Sequence, residues 1–251
     1  MSDPSRDVAC VVVDYHAGDA LAACIDSLHA NGVRDIVVVE NGEVDSSAPA
    51  LDGRDVVLVE PRRNLGYGRG VNRGAAATGP ARYLLVSNPD VVLHEGAVAA
   101  MLSYLDAHDD VAVVGPQILR PDGTVYPSQR VFPNIWLAGA HALLAPLWPD
   151  NPVTRIYRSP RSDGTVDWVS GACFLVRRSA WEVVGGFDRA YFMYLEDVDL
   201  CWRLGGAGWA VAYEPAAQVV HVQGVSADRH PYRMLLAHHV SICLLYTSRC
   251  V

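Results

Sequence analysis

Along the first half of the chain, short apolar runs alternate with segments whose apolar residues recur at helical spacing. Val8 to Val13 is continuously apolar and ends at Asp14. Such a run fits a strand buried on both faces of a parallel sheet. Leu21, Ile25 and Leu28 then fall at helical intervals of four and three, which predicts a helix packed by that stripe. Asp35 to Glu40 and Val56 to Glu60 repeat the strand pattern, and Tyr67 to Thr78 reads as a Gly- and Ala-rich helix. Tyr83 to Ser87 is a further strand, Glu95 to His108 a helix and Val111 to Gln117 a fifth strand. Strands alternating with helices predict a doubly wound α/β sheet, whose ligands sit at the carboxyl ends of its strands. Asp14, Glu40, Asn41, Asn88 and Asp90 all fall just after a strand.

The second half is less regular. Pro121-Asp122-Gly123-Thr124 predicts a turn in a hairpin. Trp168 to Val176 reads as one strand, Gly185-Gly186 as a break, Val198 to Ala207 as a helix, and Ala210 to Tyr213 and Val219 to Val222 as two short strands. No repeat and no long linker divides the chain, so a single domain over 7–242 is expected. The final stretch, 243–251, is set apart because Cys243 to Ser248 resembles a translated sequencing adapter, and the C-terminal helical segment is expected to be truncated there.

Composition narrows the chemistry. With 51% hydrophobic and 19% charged residues in 251, the chain can bury a large core. Its net charge of -8 argues against a nucleic-acid partner. All 20 basic residues are Arg, which excludes lysine Schiff-base chemistry and a lysine-bearing phosphate loop. The 6 Cys form no Cys-x-x-Cys pair, and no apolar signal follows the polar N-terminus, so a reduced, cytoplasmic protein is expected. The uncharged stretch from Val131 to Pro149 is broken by Pro133, Asn134, His141 and Pro146. It reads as a loop and helix, or as a segment lying on a membrane surface through Ile135, Trp136 and its leucines, and not as a spanning helix.

Three constellations carry candidate chemistry. The first, Asn64 to Gly74, holds Gly66, Gly68, Gly70 and Asn72 at the start of a helix, where free N–H groups face a diphosphate in many folds, or where glycines allow tight helix–sheet packing. It fails the dinucleotide fingerprint, since Val71 and Arg73 stand where a third glycine belongs, which weakens an oxidoreductase reading. The second, Asn88-Pro89-Asp90, puts a carboxylate at the sheet edge, suited to Mg²⁺ or Mn²⁺ bridging phosphate oxygens, or to an ordinary helix cap. The third, Glu196-Asp197-Val198-Asp199, crowds three carboxylates at a helix start, so burial is expected to raise at least one pKa. A carboxylate there would serve as a base toward a sugar hydroxyl; the plainer reading is a helix N-terminus favoured by the dipole. His221 closes an apolar run, as an edge histidine or as a metal ligand.

Taken in order, Val12 to His16, Glu40-Asn41-Gly42 with Asp45, the Asn64 to Gly74 segment, Asn88-Pro89-Asp90, Ser170-Gly171-Ala172 and the block from Gly185 to Arg203 resemble the bacterial family 2 glycosyltransferases of the GT-A fold, in detail the rhamnosyltransferases. The resemblance covers about Val8 to Gly224. It implies a metal-dependent inverting transferase in which Asp197 is the base, Asp90 and His221 hold the ion, and Tyr15, Glu40 and Asn41 surround the donor's base. Asn64, Gly66, Gly70, Asn72 and Asn88 complete the donor site. The family usually carries Asp where Glu40 stands and Asn where His16 stands. Trp168, Glu196 and Asp199 are expected on the acceptor side, with the aromatics from Tyr191 to Tyr194 as a wall. The implied donor is dTDP-rhamnose and the acceptor a glycan or polyprenyl-diphosphate-linked sugar at the inner face of the plasma membrane, in cell-wall or surface polysaccharide synthesis. A UDP-sugar donor (galactofuranose or N-acetylhexosamine) and a non-catalytic sugar-nucleotide binder are the alternatives. The oligomeric state is left open.

Overall fold

The computed structural model describes residues 7–42, 47–126, 128–130, 132, 144, 148, 151–152, 165–222 and 231–249. In chain order its elements begin with β1 (Val8–Asp14), α1 (Asp19–Ala30), β2 (Asp35–Glu40), α2 (Ala48–Leu51), β3 (Val57–Val59) and α3 (Tyr67–Ala75). They continue with β4 (Tyr83–Ser87), β5 (Val91–Leu93), α4 (Ala97–Ala107), β6 (Val111–Leu119) and β7 (Gln129–Arg130). The rest are β8 (Thr165–Val166), β9 (Trp168–Val169), β10 (Cys173–Arg177), α5 (Arg178–Val184), α6 (Glu196–Gly206), β11 (Ala210–His221) and α7 (Pro231–Arg249).

Every residue of β1 is buried because layers cover both of its faces. Val8, Cys10 and Val12 pack with Leu21, Ile25 and Leu28 of α1 and with Met101 and Leu105 of α4. Ala9, Val11 and Val13 point the other way, toward Val71 of α3 and Leu200 and Leu204 of α6. The period of two along a strand makes this division automatic. Strand order in the main sheet is β3-β2-β1-β4-β10-β6-β11-β5, with β8 paired to β11. The first four strands are parallel, and β6 runs parallel to β11. β10 is inserted antiparallel between β4 and β6, so the loop entering it lies at the edge where the parallel strands end.

The expected α/β sheet is therefore present, with three local differences. The stretch read as one strand from Trp168 to Val176 is broken at Ser170-Gly171-Ala172. There the backbone turns away to bond across the sheet edge, Ser170 N–H to Ser128 O and Asn88 N–H to Ala172 O. The two short strands read at 210–213 and 219–222 are one strand, β11, whose register slips between Glu214 and Gln218. Pro215 has no N–H to give the ladder, and a bulge absorbs it. β5 and α5 had no periodic signal, being too short to show one. Within the stretch 243–251 that was set apart, residues 243–249 are helical and continue α7, with Leu245 buried and Arg249 paired to Asp188 and Asp199. The Val131 to Pro149 stretch lies outside the described residues except for Phe132, Leu144 and Trp148. Among the described residues, no helix is long and apolar enough to cross a membrane.

α3 seats on the sheet through its glycines. A Cβ on Gly74 would stand 2.4 Å from a methyl of Val11 and 2.9 Å from one of Val39, both buried on strands. Gly74→Ala is expected to destabilise the fold by about 1–3 kcal/mol through this overlap, read as a lowered urea midpoint at an unchanged m-value.

Candidate active site

Parallel strands end on the same side, so Asp14 of β1, Glu40 of β2 and Ser87 of β4 come to one edge. β11 also runs parallel and delivers His221 there. The pairing of β5 with β11 sets His221 opposite Val91, one residue past Asp90. Asp90 Oδ1 consequently stands 3.1 Å from His221 Nε2, and the Asp90 carbonyl accepts the Val222 N–H. Asn88 Nδ2 is 3.5 Å from the same imidazole nitrogen. His221 Nδ1 is buried with no partner among the described residues.

A carboxylate oxygen and an imidazole nitrogen suit Mg²⁺ or Mn²⁺. Two such ligands at right angles, each about 2.1 Å from one ion, would be roughly 3 Å apart, the spacing found here. Among the described residues no third His, Cys, Asp or Glu joins them.

The pair opens into a cavity of about 590 Å³ bounded by Tyr15, Asn41, Asn64, Gly66, Tyr67, Asn88, Phe192 and one side of α7. Asn41 shapes it. Its Nδ2 donates to Asn64 Oδ1 at 3.1 Å and to the Gly66 carbonyl, while its Oδ1 accepts the Leu65 N–H at 2.8 Å. Gly66 is left-handed (φ 82°), and a Cβ there would meet the Phe192 carbonyl at 2.2 Å, so only glycine fits. Glu40 turns away from the cavity. Its carboxylate accepts the Gly42 and Ser47 N–H groups, and the Ser47 hydroxyl lies within hydrogen-bond distance of both Glu40 and Asp14, with a single proton to give to one of them. Burial holds the Asp14 carboxyl above its ordinary value.

Gly70 and Asn72, expected at the donor, are used elsewhere. Gly70 lies on Val13, and Asn72 clamps the backbone of Phe187, donating to its carbonyl and accepting its N–H. The helix start also differs from expectation, since the Tyr67 N–H is bound to the Phe192 carbonyl.

A second cavity, about 380 Å³, shares Tyr67, Asn88, Met193, Tyr194 and His221 with the first. Its remaining wall includes Tyr126, Trp168, Gly171, Glu196, Asp197 and His238. The turn into α6 is strained, with both Tyr194 (φ 70°) and Leu195 (φ 63°) left-handed. Two consecutive side-chain-bearing residues in that region mark a place where the fold sustains unfavourable backbone for position. Asp197 follows at once. Its Oδ2 accepts the Gly171 N–H at 2.8 Å and its Oδ1 the Val198 N–H at 2.8 Å.

The structure separates the three clustered carboxylates. Glu196 is 6% exposed, and its Oε2 finds no partner among the described residues. Burial first, and the charge of Asp197 second, push its carboxyl up to about 8. Asp199, expected beside the acceptor, is 0% exposed and ion-paired to Arg203 and Arg249. Two residues past Asp197, about half a helical turn, it faces away from the cavity and into the packing between α6 and α7. The aromatic wall is also narrower than expected. Tyr191 is buried away from both cavities and Phe192 faces the first, leaving Tyr194 with Trp168 on the second. Tyr67, Tyr126 and His238 were missed. Tyr67 sat inside a motif read for its glycines, and the other two lie on segments without any spacing signal.

A mostly parallel sheet with an antiparallel insertion and its polar groups gathered at the carboxyl edge is the architecture of the GT-A glycosyltransferases. Solved structures agree on the fold. GalNAc-T7 with UDP, GalNAc and Mn²⁺ aligns with a TM-score of 0.64 at 12% identity, over 86% of this chain and 43% of that one. A mannosyltransferase from Pyrobaculum calidifontis in complex with GDP-Man and Mn²⁺ gives 0.61 at 15% identity, over 94% and 61%. The family model described as glycosyltransferase like family 2 matches residues 4–234, and the chain belongs to that family. It is 41% identical over 256 residues to the N-acetylglucosaminyl-diphospho-decaprenol L-rhamnosyltransferase of Mycobacterium tuberculosis, covering 95% of this chain and 83% of the relative. It is also 33% identical over 141 residues to rhamnosyltransferase WbbL of Escherichia coli K12, covering 55% and 52%.

The raised Glu196 carboxyl has a consequence for stability. A carboxyl that keeps its proton in the folded state but loses it when unfolded contributes fully below the ordinary value of 4.5, and that contribution is lost as pH rises toward about 8. Glu196→Gln is expected to flatten the stability profile across this window, where one proton accounts for up to about 1.4 kcal/mol per pH unit. Urea unfolding at a series of pH values reads it; an unchanged slope would show that Glu196 is ionised in the fold.

Proposed function

We propose that this chain transfers a rhamnosyl group, with inversion, from dTDP-rhamnose to a polyprenyl-diphosphate-linked N-acetylglucosaminyl acceptor. The observation that carries the chemistry is the meeting of two cavities along Tyr67, Asn88 and His221, with Asp90 in one and Asp197 in the other. The choice of substrates rests on the 41% identity to the mycobacterial rhamnosyltransferase.

In this reading the nucleotide lies in the larger cavity against Tyr15 and Asn41, and the acceptor sugar in the smaller one against Trp168. Aromatic faces suit the C–H surface of a sugar ring. Asp197 takes the proton from the acceptor hydroxyl as its oxygen attacks the anomeric carbon from the face opposite the departing diphosphate. The two N–H groups on Asp197 hold both carboxylate oxygens in fixed directions, which orients the base. Glu196, protonated up to about pH 8, keeps a second negative charge out of the pocket. A divalent ion held by Asp90 and His221, Mg²⁺ or Mn²⁺, would supply positive charge for the leaving diphosphate. The acceptor's lipid places the protein at the inner face of the plasma membrane in this scheme.

Asp197→Asn is expected to reduce transfer about 10³-fold while leaving donor affinity within a factor of about two; turnover at the original rate would refute the base. Asp90→Ala and His221→Ala should each weaken Mn²⁺-dependent donor binding, an effect that excess Mn²⁺ partly reverses. A panel of dTDP-rhamnose against UDP-sugars, with Mg²⁺ or Mn²⁺ present, tests the donor by thermal shift and product formation. Selective stabilisation and transfer with a UDP-sugar would replace the rhamnosyl reading.

A further inference from the structure

The loop Ser170-Gly171-Ala172 is hydrogen-bonded to three separate parts of the site. Its Ala172 carbonyl accepts the Asn88 N–H at 2.8 Å, which ties it to the segment carrying Asp90. Its Gly171 N–H donates to Asp197 Oδ2 at 2.8 Å. Its Gly171 carbonyl accepts the Tyr67 hydroxyl at 2.6 Å. Tyr67 is itself pinned at its other end, where its N–H donates to the Phe192 carbonyl at 3.0 Å.

We propose that Gly171 and Tyr67 are positioning residues, which set where the Asp197 carboxylate stands relative to the donor cavity. The inference rests on Asp197 being the base. Two features of the loop point to it. Gly171 is not in the left-handed region, so its backbone does not require glycine; the requirement is space, because a Cβ there would lie 3.2 Å from Asp197 Cβ and 3.3 Å from Oδ2. Such contacts are tighter than ordinary van der Waals packing, and the movable partner is the carboxylate.

Tyr67 supplies the second feature. Burial, followed by the charges of Glu196 and Asp197, holds its phenol well above the usual value, so the hydroxyl keeps its proton and remains a donor to Gly171. Because this contact spans α3 and the β9–β10 loop, it links the helix against the donor cavity to the group that orients the base. A displacement of the order of 1 Å at a base costs about a hundredfold in rate; Tyr67 also bounds the donor cavity, but its hydroxyl is spent on the Gly171 carbonyl, so removing that oxygen cuts the tie to the base and takes no hydrogen bond from the donor. Loss of either positioning group should therefore appear in kcat and not in donor affinity.

The experiment compares Gly171→Ala, Tyr67→Phe and Asp197→Asn with the unaltered full chain, using dTDP-rhamnose, Mn²⁺ and a polyprenyl-diphosphate-linked N-acetylglucosamine acceptor. Expected are a loss of about a hundredfold in kcat for Gly171→Ala and about tenfold for Tyr67→Phe, each with donor KM and donor Kd within about twofold of the original. Tyr67→Phe removes one oxygen, so it decides the matter should Gly171→Ala fail to fold. Original kcat in Tyr67→Phe, or a parallel fall in donor affinity in either variant, would overturn the positioning role. Failure of the base reading is separate: it would show as an active Asp197→Asn.

Discussion

The parallel ladder of β1 with β2 and β4 is the constraint on which the site depends. Its register places Asp14 opposite Glu40 and Val12 opposite Ser87, so the residues that follow these strands emerge together. That register is held by apolar burial on both faces of β1, where a slip of one residue would reverse every side chain between the two cores. Gly70 and Gly74 allow α3 to lie directly on Val13, Val11 and Val39. The helix seats deeply enough to bring Asn64, Gly66 and Tyr67 to the same edge. Packing far from any substrate thus sets the position of polar groups at the cleft.

The opposite side of the cleft is built at the expense of local stability. Tyr194 and Leu195 adopt left-handed backbone, and Glu196 is buried without an opposite charge beside it among the described residues. Both features are unfavourable alone. They persist because α6 is anchored by Val198, Leu200 and Leu204 in the core and by the Asp199–Arg203 ion pair. The acidic cluster therefore divides into one group that packs, one that stays protonated in the wall and one that faces the cavity. Burial, ion pairing and hydrogen bonding separate roles that composition leaves identical.

Much of the fold was legible because the strands from Val8 to Val114 and the helices carrying Leu21, Ile25 and Leu28 show clear periodicity. β5 and the β10 insertion were not legible. Three residues of β5 gain their identity only from the β11 partner, and the antiparallel entry of β10 leaves no trace in its own apolar run. The single strand read across Trp168 to Val176 concealed the Ser170-Gly171-Ala172 loop. Its bonds to Asn88, Ser128, Tyr67 and Asp197 come from remote parts of the chain. Tyr67 was overlooked for the related reason that the surrounding glycines dominate the motif.

By itself the sequence determined the α/β class, the order of the main elements and the set of polar groups near the strand ends, because periodicity and turn chemistry are local properties. It also contained, in the order of its motifs, the family to which the chain belongs. Only tertiary structure decided that Asp90 meets His221, that Gly70, Asn72 and Asp199 are used for packing, and that Glu196 is buried with its carboxyl pushed up while Asp197 faces the second cavity. Those outcomes depend on distances between residues far apart in the chain and on how much water reaches each one, and neither quantity is written in local spacing.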